Sequence, residues 1–275
     1  VSALSGVTDA LEAALAGAAT GRLDAGHFAS ALRDRHLALL RAVASGRAAT
    51  RATSKIVARL AALEGLLRRV AVNGRSSEAE RAWVLATGER LSAPIAAAAL
   101  RARGVEATVF DAAALVRTDA AWSEASVDFP ATRLLVDAAL AALPRASLPV
   151  VTGFIGGTEH GDTTLLGRGG SDYTAAVLGW ALEAERVEIW SDVPGVMSGD
   201  PRRDASARTL PRLGYAEATA LARAGAKVLH PRTLEPLEPV GIPLFVGSTL
   251  APEVGGTWIA EGAATSEARE EGTAA

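Results

Sequence analysis

Thr163-Thr-Leu-Leu-Gly-Arg-Gly-Gly-Ser-Asp172 decides the reading of this chain. Thr163–Leu166 is apolar and β-compatible, the next four residues are Gly167-Arg-Gly-Gly170, and a helical pattern follows at once in Tyr173-Thr-Ala-Ala-Val-Leu-Gly-Trp-Ala-Leu182. A glycine turn between strand and helix lets backbone N–H groups and the helix N-terminus face an anion. This turn also carries a guanidinium (Arg168), a hydroxyl (Ser171) and a carboxylate (Asp172). A phosphate loop has little use for the carboxylate, whereas a site for a zwitterion needs both signs. A plain structural turn with Ser171 or Asp172 capping the helix explains the same residues.

Outward from this stretch, short apolar segments alternate with helical ones. Leu148–Ile155 reads as a buried strand, Thr163–Leu166 as a second, Arg186–Trp190 as a third and Ile242–Val246 as a fourth. Helices are expected at Ser171–Glu185, Tyr215–Ala224 and near Thr233–Val240. Alternation of this kind predicts an α/β fold with a largely parallel sheet. Upstream, apolar residues at helical spacing run through Asp9–Ala19, Ala25–Val43 and Thr50–Val72. A further helix is expected from Ser77, with Glu80 three residues on as its capping partner, to Arg103, where Gly104 ends it. Val105–Asp111 reads as a strand and Pro130–Leu143 as a helix. Residues 261–275 lack periodicity and read as a disordered tail or linker.

Composition narrows the function. The 275 residues are 49% hydrophobic, enough for a substantial core, and the net charge of −3 offers no basic surface for nucleic acid or an anionic membrane. No apolar run is long enough to span a bilayer. Cysteine is absent, which removes disulfides and thiolate metal sites and fits a reducing, cytoplasmic setting. Of 28 basic residues only Lys55 and Lys227 are lysines. Lys55 lies in a helix-like stretch and reads as part of a solvated face. Lys227 sits among small and apolar residues, a place where snorkelling and a site role are both open.

In an open α/β sheet, ligands bind at the carboxyl ends of strands. Gly153–Gly157, Arg168–Asp172, Ser191–Gly195 and Asp200–Arg202 fall at or just beyond such ends. Singly, each is explained by a turn, and His230 before Pro231 by capping. Their order carries more. Val1-Ser-Ala-Leu-Ser-Gly-Val-Thr-Asp9, Gly88-Glu-Arg-Leu-Ser92, Gly153-Phe-Ile-Gly156, Leu166-Gly-Arg-Gly-Gly-Ser-Asp-Tyr173, Ile189-Trp-Ser-Asp-Val-Pro-Gly195, Asp200-Pro-Arg202, Gly225-Ala-Lys-Val-Leu-His-Pro231 and Gly256-Thr257 follow one another. This series resembles the aspartokinases of the amino-acid kinase family over residues 1 to about 259.

The resemblance implies a three-layer α-β-α sandwich with a mainly parallel sheet. An acceptor lobe (residues 1–147) and a nucleotide lobe (residues 148–260) are expected. It further implies transfer of the γ-phosphate of ATP, with Mg²⁺, to the β-carboxylate of L-aspartate, the first step toward lysine, threonine and methionine. By the same resemblance Arg168 grips the substrate α-carboxylate, Glu89 and Asp172 take its ammonium, and Thr8, Phe154 and Ser171 complete the pocket. Ser191, Asp192, Met197, Arg202 and Lys227 fall at the ATP positions, Lys227 close to the phosphates. Met197 stands where many relatives carry Tyr, and Ser191 where they carry Thr. No protein metal site is implied, and a homodimer is compatible with the resemblance. The sequence begins after the family's Lys-Phe-Gly-Gly-Thr loop and ends before its ACT domains, so reduced turnover is expected of it. Another amino-acid kinase with a glutamate-type acceptor and an impaired nucleotide-binding fragment are the competing readings.

The residue types suit phosphoryl transfer to a carboxylate. Such a nucleophile is already ionised at neutral pH, so no general base is required. Catalysis then rests on positioning and on neutralising phosphate charge. No Gly-x4-Gly-Lys-Ser/Thr pattern is present, which excludes a P-loop enzyme.

Overall fold

A computed structural model describes residues 1–199, 206–224 and 229–262. The chain divides into two compact units, Val1–Ser171 and Asp172–Ala275. The division thus falls inside the glycine-turn motif, downstream of the expected lobe boundary at 147/148.

The first unit opens with α1 (Val7–Ala19), α2 (Ala25–Val43) and α3 (Gly46–Asn73). In α2 the side chain of Asp24 accepts from the His27 N–H, satisfying one unpaired donor of the first turn. Ala25, Ala29, Leu32, His36 and Leu40 then form its buried stripe at helical spacing. The helix expected from Ser77 to Arg103 is two, α4 (Glu78–Leu85) and α5 (Thr87–Ala102). The Ser77–Glu80 capping box forms as expected. The interruption at Ala86 has two causes, one local and one distant in sequence. The Thr87 hydroxyl donates to the Trp83 carbonyl at 3.2 Å, which competes with the helical ladder. Gly88 admits the N-terminal segment: a Cβ there would stand 2.7 Å from Cβ of Ala3. Helix α5 is buried along most of its length, with small residues such as Ala93, Ala97 and Ala98 at its contacts.

Strand β1 (Ala107–Phe110) pairs in parallel with β2 (Leu148–Val151), and α6 (Phe129–Ala141) connects them. The single strand expected over Leu148–Ile155 is broken. After β2 the chain bends at Phe154, whose φ of 66° lies in the left-handed region, and resumes as β3 (Ile155–Gly157). Strand β3 pairs antiparallel with β4 (Thr163–Leu165), in a separate sheet from β1 and β2. The hairpin tip is closed by its own hydrogen bonds, Thr158 N–H to the Asp162 carbonyl at 3.0 Å and Asp162 N–H to the Thr158 hydroxyl at 3.1 Å. Helix α7 (Gly170–Ala181) starts at the end of this unit.

In the second unit a four-stranded sheet has the order β5–β7–β8–β6, built from β5 (Val187–Ser191), β6 (Arg212–Leu213), β7 (Leu244–Ser248) and β8 (Gly256–Ile259). Strands β5 and β7 run parallel, as do β6 and β8, while β7 and β8 are antiparallel. Helix α8 (Tyr215–Arg223) follows β6. Leu213, Leu234, Leu237, Leu244, Val246 and Ile259 are fully buried in the core of this unit. The helix expected near Thr233–Val240 is instead two 3₁₀ turns, Pro231–Thr233 and Glu238–Val240. Pro231, Pro236 and Pro239 each remove a backbone donor, which excludes a continuous α-helix. The short strands β6 and β8 add to the two, β5 and β7, that the sequence suggests for this unit. Of the tail expected at 261–275, residues 263–275 lie outside the described residues.

Candidate active site

The first unit assembles its candidate residues around the N-terminal segment. The Ala3 N–H donates to Glu89 Oε1 at 3.1 Å, and the Ser92 hydroxyl donates to the Ser2 carbonyl at 2.6 Å. On its other side the same segment accepts from the Gly153 N–H through the Val1 carbonyl at 2.9 Å. Residues 1–3 therefore bind α5 to the bend that follows β2.

Glu89 is 3% exposed, and its Oε2 is buried with no hydrogen-bond partner. Burial pushes its carboxyl up to about 7, against which the Ala3 N–H and neighbouring positive charge act only in part. An acceptor atom left unpaired in the interior is costly, and a cation with N–H donors relieves that cost.

The glycine turn is fixed just as tightly. Gly169 takes a φ of 69°, a conformation glycine adopts without strain. A Cβ on Gly170 would stand 2.7 Å from Cδ2 of Phe154, and one on Gly153 would stand 2.9 Å from Cβ of Ser171. Phe154 and Ser171 thus meet glycines of each other's loop, and the left-handed backbone of Phe154 accepts the Leu166 N–H at 2.9 Å. A bulky residue held in that region carries about 1–3 kcal/mol of strain, of the kind that clusters at binding sites. Helix α7 already begins at Gly170, so Ser171 lies inside its first turn and neither Ser171 nor Asp172 is the flanking cap. That corrects the capping reading.

The structure brings Glu89, Phe154 and Ser171 together through residues 1–3 and the two glycine contacts. Arg168 is exposed on the turn. Thr8 occupies the first turn of α1, after the left-handed Gly6, and is half-buried.

Asp172 opens the second unit on the first turn of α7, and burial raises its carboxyl above the ordinary value. Ser191 ends β5 opposite Ser248, its carbonyl accepting from the Thr249 N–H at 2.8 Å and its hydroxyl donating to Asp192 at 3.1 Å. Met197 forms a bridge with Thr209. Arg202 and Lys227 lie outside the described residues, as does Asp200. His230 is a capping residue, its Nδ1 accepting from the Arg232 N–H at 3.4 Å.

Two contributors were given no role by the sequence reading of the second unit. Thr257 is fully buried; its Oγ1 accepts from the Val196 N–H at 2.8 Å and donates to the Leu210 carbonyl at 2.7 Å. It holds the loop beyond Asp192 to β8. The Arg232 guanidinium lies 4.5 Å from the ring centroid of Tyr173, a cation–π contact. For Thr257 the signal was its place in the Gly256-Thr257 pair that closes the motif series. For Arg232 there was none.

The strand, glycine turn and helix at Thr163–Ala181, with parallel strand pairs in both units, make this an α/β protein. More narrowly, the chain belongs to the amino acid kinase family, whose model matches residues 5–248. It is 47% identical over 174 residues to "Lysine-sensitive aspartokinase 3" of Escherichia coli, an alignment covering 62% of this chain and 38% of that protein. With "Aspartokinase 2" of Bacillus subtilis the identity is 39% over 186 residues, covering 67% of this chain and 45% of the relative. These alignments cover less than half of each relative, and the chain as a whole spans less than two thirds of their length. Its fold superimposes on the crystal structure of E. coli aspartokinase III in complex with aspartate and ADP, with a TM-score of 0.84 and 38% identity. That match covers 94% of this chain and 57% of the other. The α/β fold is that of the family. Among the described residues, no helix is long and apolar enough to cross a membrane.

Proposed function

We propose that this chain is the catalytic part of an aspartate kinase, transferring the γ-phosphate of MgATP to the β-carboxylate of L-aspartate. The observation that carries the reading is Glu89, a carboxylate held in the interior with one oxygen unpartnered. Such a group suits the ammonium of a free amino acid and gives nothing to an N-acylated one. The likeness to a structure that holds aspartate and ADP supports the same assignment.

In this reading the ionised Glu89, with Asp172, takes the substrate ammonium. Arg168 takes the α-carboxylate by a charge-assisted pair. Phe154 and Ser171 shape the wall between them. The β-carboxylate is left free to attack the γ-phosphorus, already ionised and needing no base. Ser191, Asp192, Met197, Arg202 and Lys227 hold the nucleotide, with Lys227 and Arg202 offsetting charge on the phosphates. Mg²⁺, bound as part of the MgATP substrate, would supply further neutralisation of phosphate charge.

The test is acyl phosphate formation, trapped as hydroxamate, by the full-length protein with ATP and a panel of acceptors. Aspartate should be the preferred acceptor, with glutamate and N-acetylglutamate giving little product. Absence of product with aspartate, beside turnover with either of the others, overturns the proposal.

A further inference from the structure

A cationic cavity lies within the first unit, on residues that the proposed reaction does not use. It encloses about 550 Å³ and is lined by Lys55 and Arg59 of α3, Arg90 of α5, Asp111 after β1 and Thr152 after β2. Glu89 and Arg90 are consecutive on α5, so their side chains leave the helix about 100° apart and serve different surroundings.

Three of these groups carry positive charge and one carries negative charge, and the negative one is already engaged. Arg90 Nε donates to Asp111 Oδ2 at 2.6 Å, while Asp111 Oδ1 accepts the Ala113 N–H at 3.1 Å. Arg90 Nη2 donates to Thr163 Oγ1 at 2.9 Å, which leaves Nη1 as a buried donor with no partner. The Arg90 side chain is only 7% exposed. A guanidinium so deeply placed with one donor unmet is expensive unless an acceptor joins it. Arg59 adds to the imbalance. Its carbon Cζ sits 5.1 Å from the Trp83 ring centroid, and burial together with the nearby Arg90 charge lowers its pKa. The Thr152 hydroxyl accepts from the Ala112 N–H at 2.8 Å and keeps its own proton to give.

We infer that this cavity binds a phosphate-bearing small molecule, held by Arg90, Arg59 and Lys55 with the Thr152 hydroxyl. Planar guanidinium forks match the oxygens of a phosphate, and a surplus of two positive charges matches a dianion. The volume exceeds that of bare phosphate and falls in the range of pockets for small metabolites, which favours a phosphate ester. This assignment recasts Lys55, whose sequence setting suggested only a solvated face, and it is independent of the aspartate reading.

Calorimetry on the full-length protein at low ionic strength tests it, with inorganic phosphate and phenyl phosphate as probes. Both should bind, the ester more tightly. Affinity should fall at least tenfold in the double variant Lys55→Gln/Arg59→Gln and stay within twofold in Arg168→Ala. Equal affinity for the two probes keeps the site and makes the free ion its ligand. Lack of binding by either probe at millimolar concentration overturns the inference. So does binding that survives the double variant or is lost in Arg168→Ala. Crystals soaked in selenate give a check free of any variant: an anomalous peak within hydrogen-bond reach of Arg90 Nη1 is expected, and its absence there counts against the site.

Discussion

Gly153 packs directly on Ser171: a Cβ added to the glycine would stand 2.9 Å from both Cβ and Oγ of the serine. No rotamer change relieves this, because the Cα of Ser171 would also be only 3.0 Å away. Gly153→Ala should therefore shift the start of α7 and cost about 1–3 kcal/mol of stability. Aspartate KM should rise with it. A thermal unfolding curve and an aspartate titration check the pair of effects, and unchanged values in both would show that the two loops move independently.

Glu89 supplies a prediction with a pH sign. Its folded-state carboxyl titrates at about 7, above the ordinary 4.5, so the folded state holds this proton more tightly than the unfolded state does. Stability from this group is greatest at low pH and is lost as pH rises from about 4.5 to about 7. The loss is about 3 kcal/mol when complete. Without aspartate, Glu89→Gln should be more stable than the parent at pH 8 and equal to it near pH 4.5. Binding runs the other way, because only the ionised carboxylate attracts ammonium. Aspartate affinity of the parent should strengthen as pH rises through 7, and the variant should lose both that dependence and most of the affinity. A parent whose unfolding temperature is flat across this window, relative to the variant, would contradict the argument.

Arg168→Ala should weaken aspartate far more than ATP. Removing one partner of a desolvated charge-assisted pair costs about 2–5 kcal/mol, a thirtyfold or larger rise in aspartate KM. Steady-state kinetics with each substrate varied in turn separates the two effects. An unchanged aspartate KM would take Arg168 out of the substrate site.

Thr257→Val tests the anchoring of the loop beyond Asp192. The isostere keeps the shape but leaves the Val196 N–H and the Leu210 carbonyl without the hydroxyl, at about 1–3 kcal/mol. Denaturant unfolding should show that loss. Calorimetry with ADP should show weaker binding while aspartate binding is retained. Full ADP affinity in a destabilised variant would make Thr257 a purely structural residue.

Much of this was readable because local chemistry agreed with the final fold. The Ser77–Glu80 capping box and the periodic stripe of α2 are both short-range signals. The glycine turn at 167–170 also announced its position between strand and helix. What could not be read depended on distant partners. The bend at Phe154 looks like continuous strand in sequence, since only its place in the folded unit holds it at positive φ. The break at Ala86 depends on Ala3 approaching Gly88 from 85 positions away in the sequence. Three prolines between 231 and 239 were a legible warning that the apolar pattern there outweighed. At the site, the residue types of Glu89, Arg168 and Asp172 were visible. The unmet oxygen of Glu89 and the unmet nitrogen of Arg90 were not, because satisfaction of a buried group is a property of its surroundings.

The hairpin between β3 and β4 sets where this chain can change length. Its tip, Glu159–Gly161, is exposed and closed by hydrogen bonds between Thr158 and Asp162, and Gly161 has open space around it. Residues inserted there would enter solvent and leave Ile155 opposite Leu165. An insertion a few positions earlier, beside Phe154, would instead displace the bend that separates β2 from β3 and carry Gly153 away from Ser171. Two neighbouring stretches of loop thus differ sharply in what they tolerate: one can absorb a tag or a natural insertion, and the other admits no added residue at all.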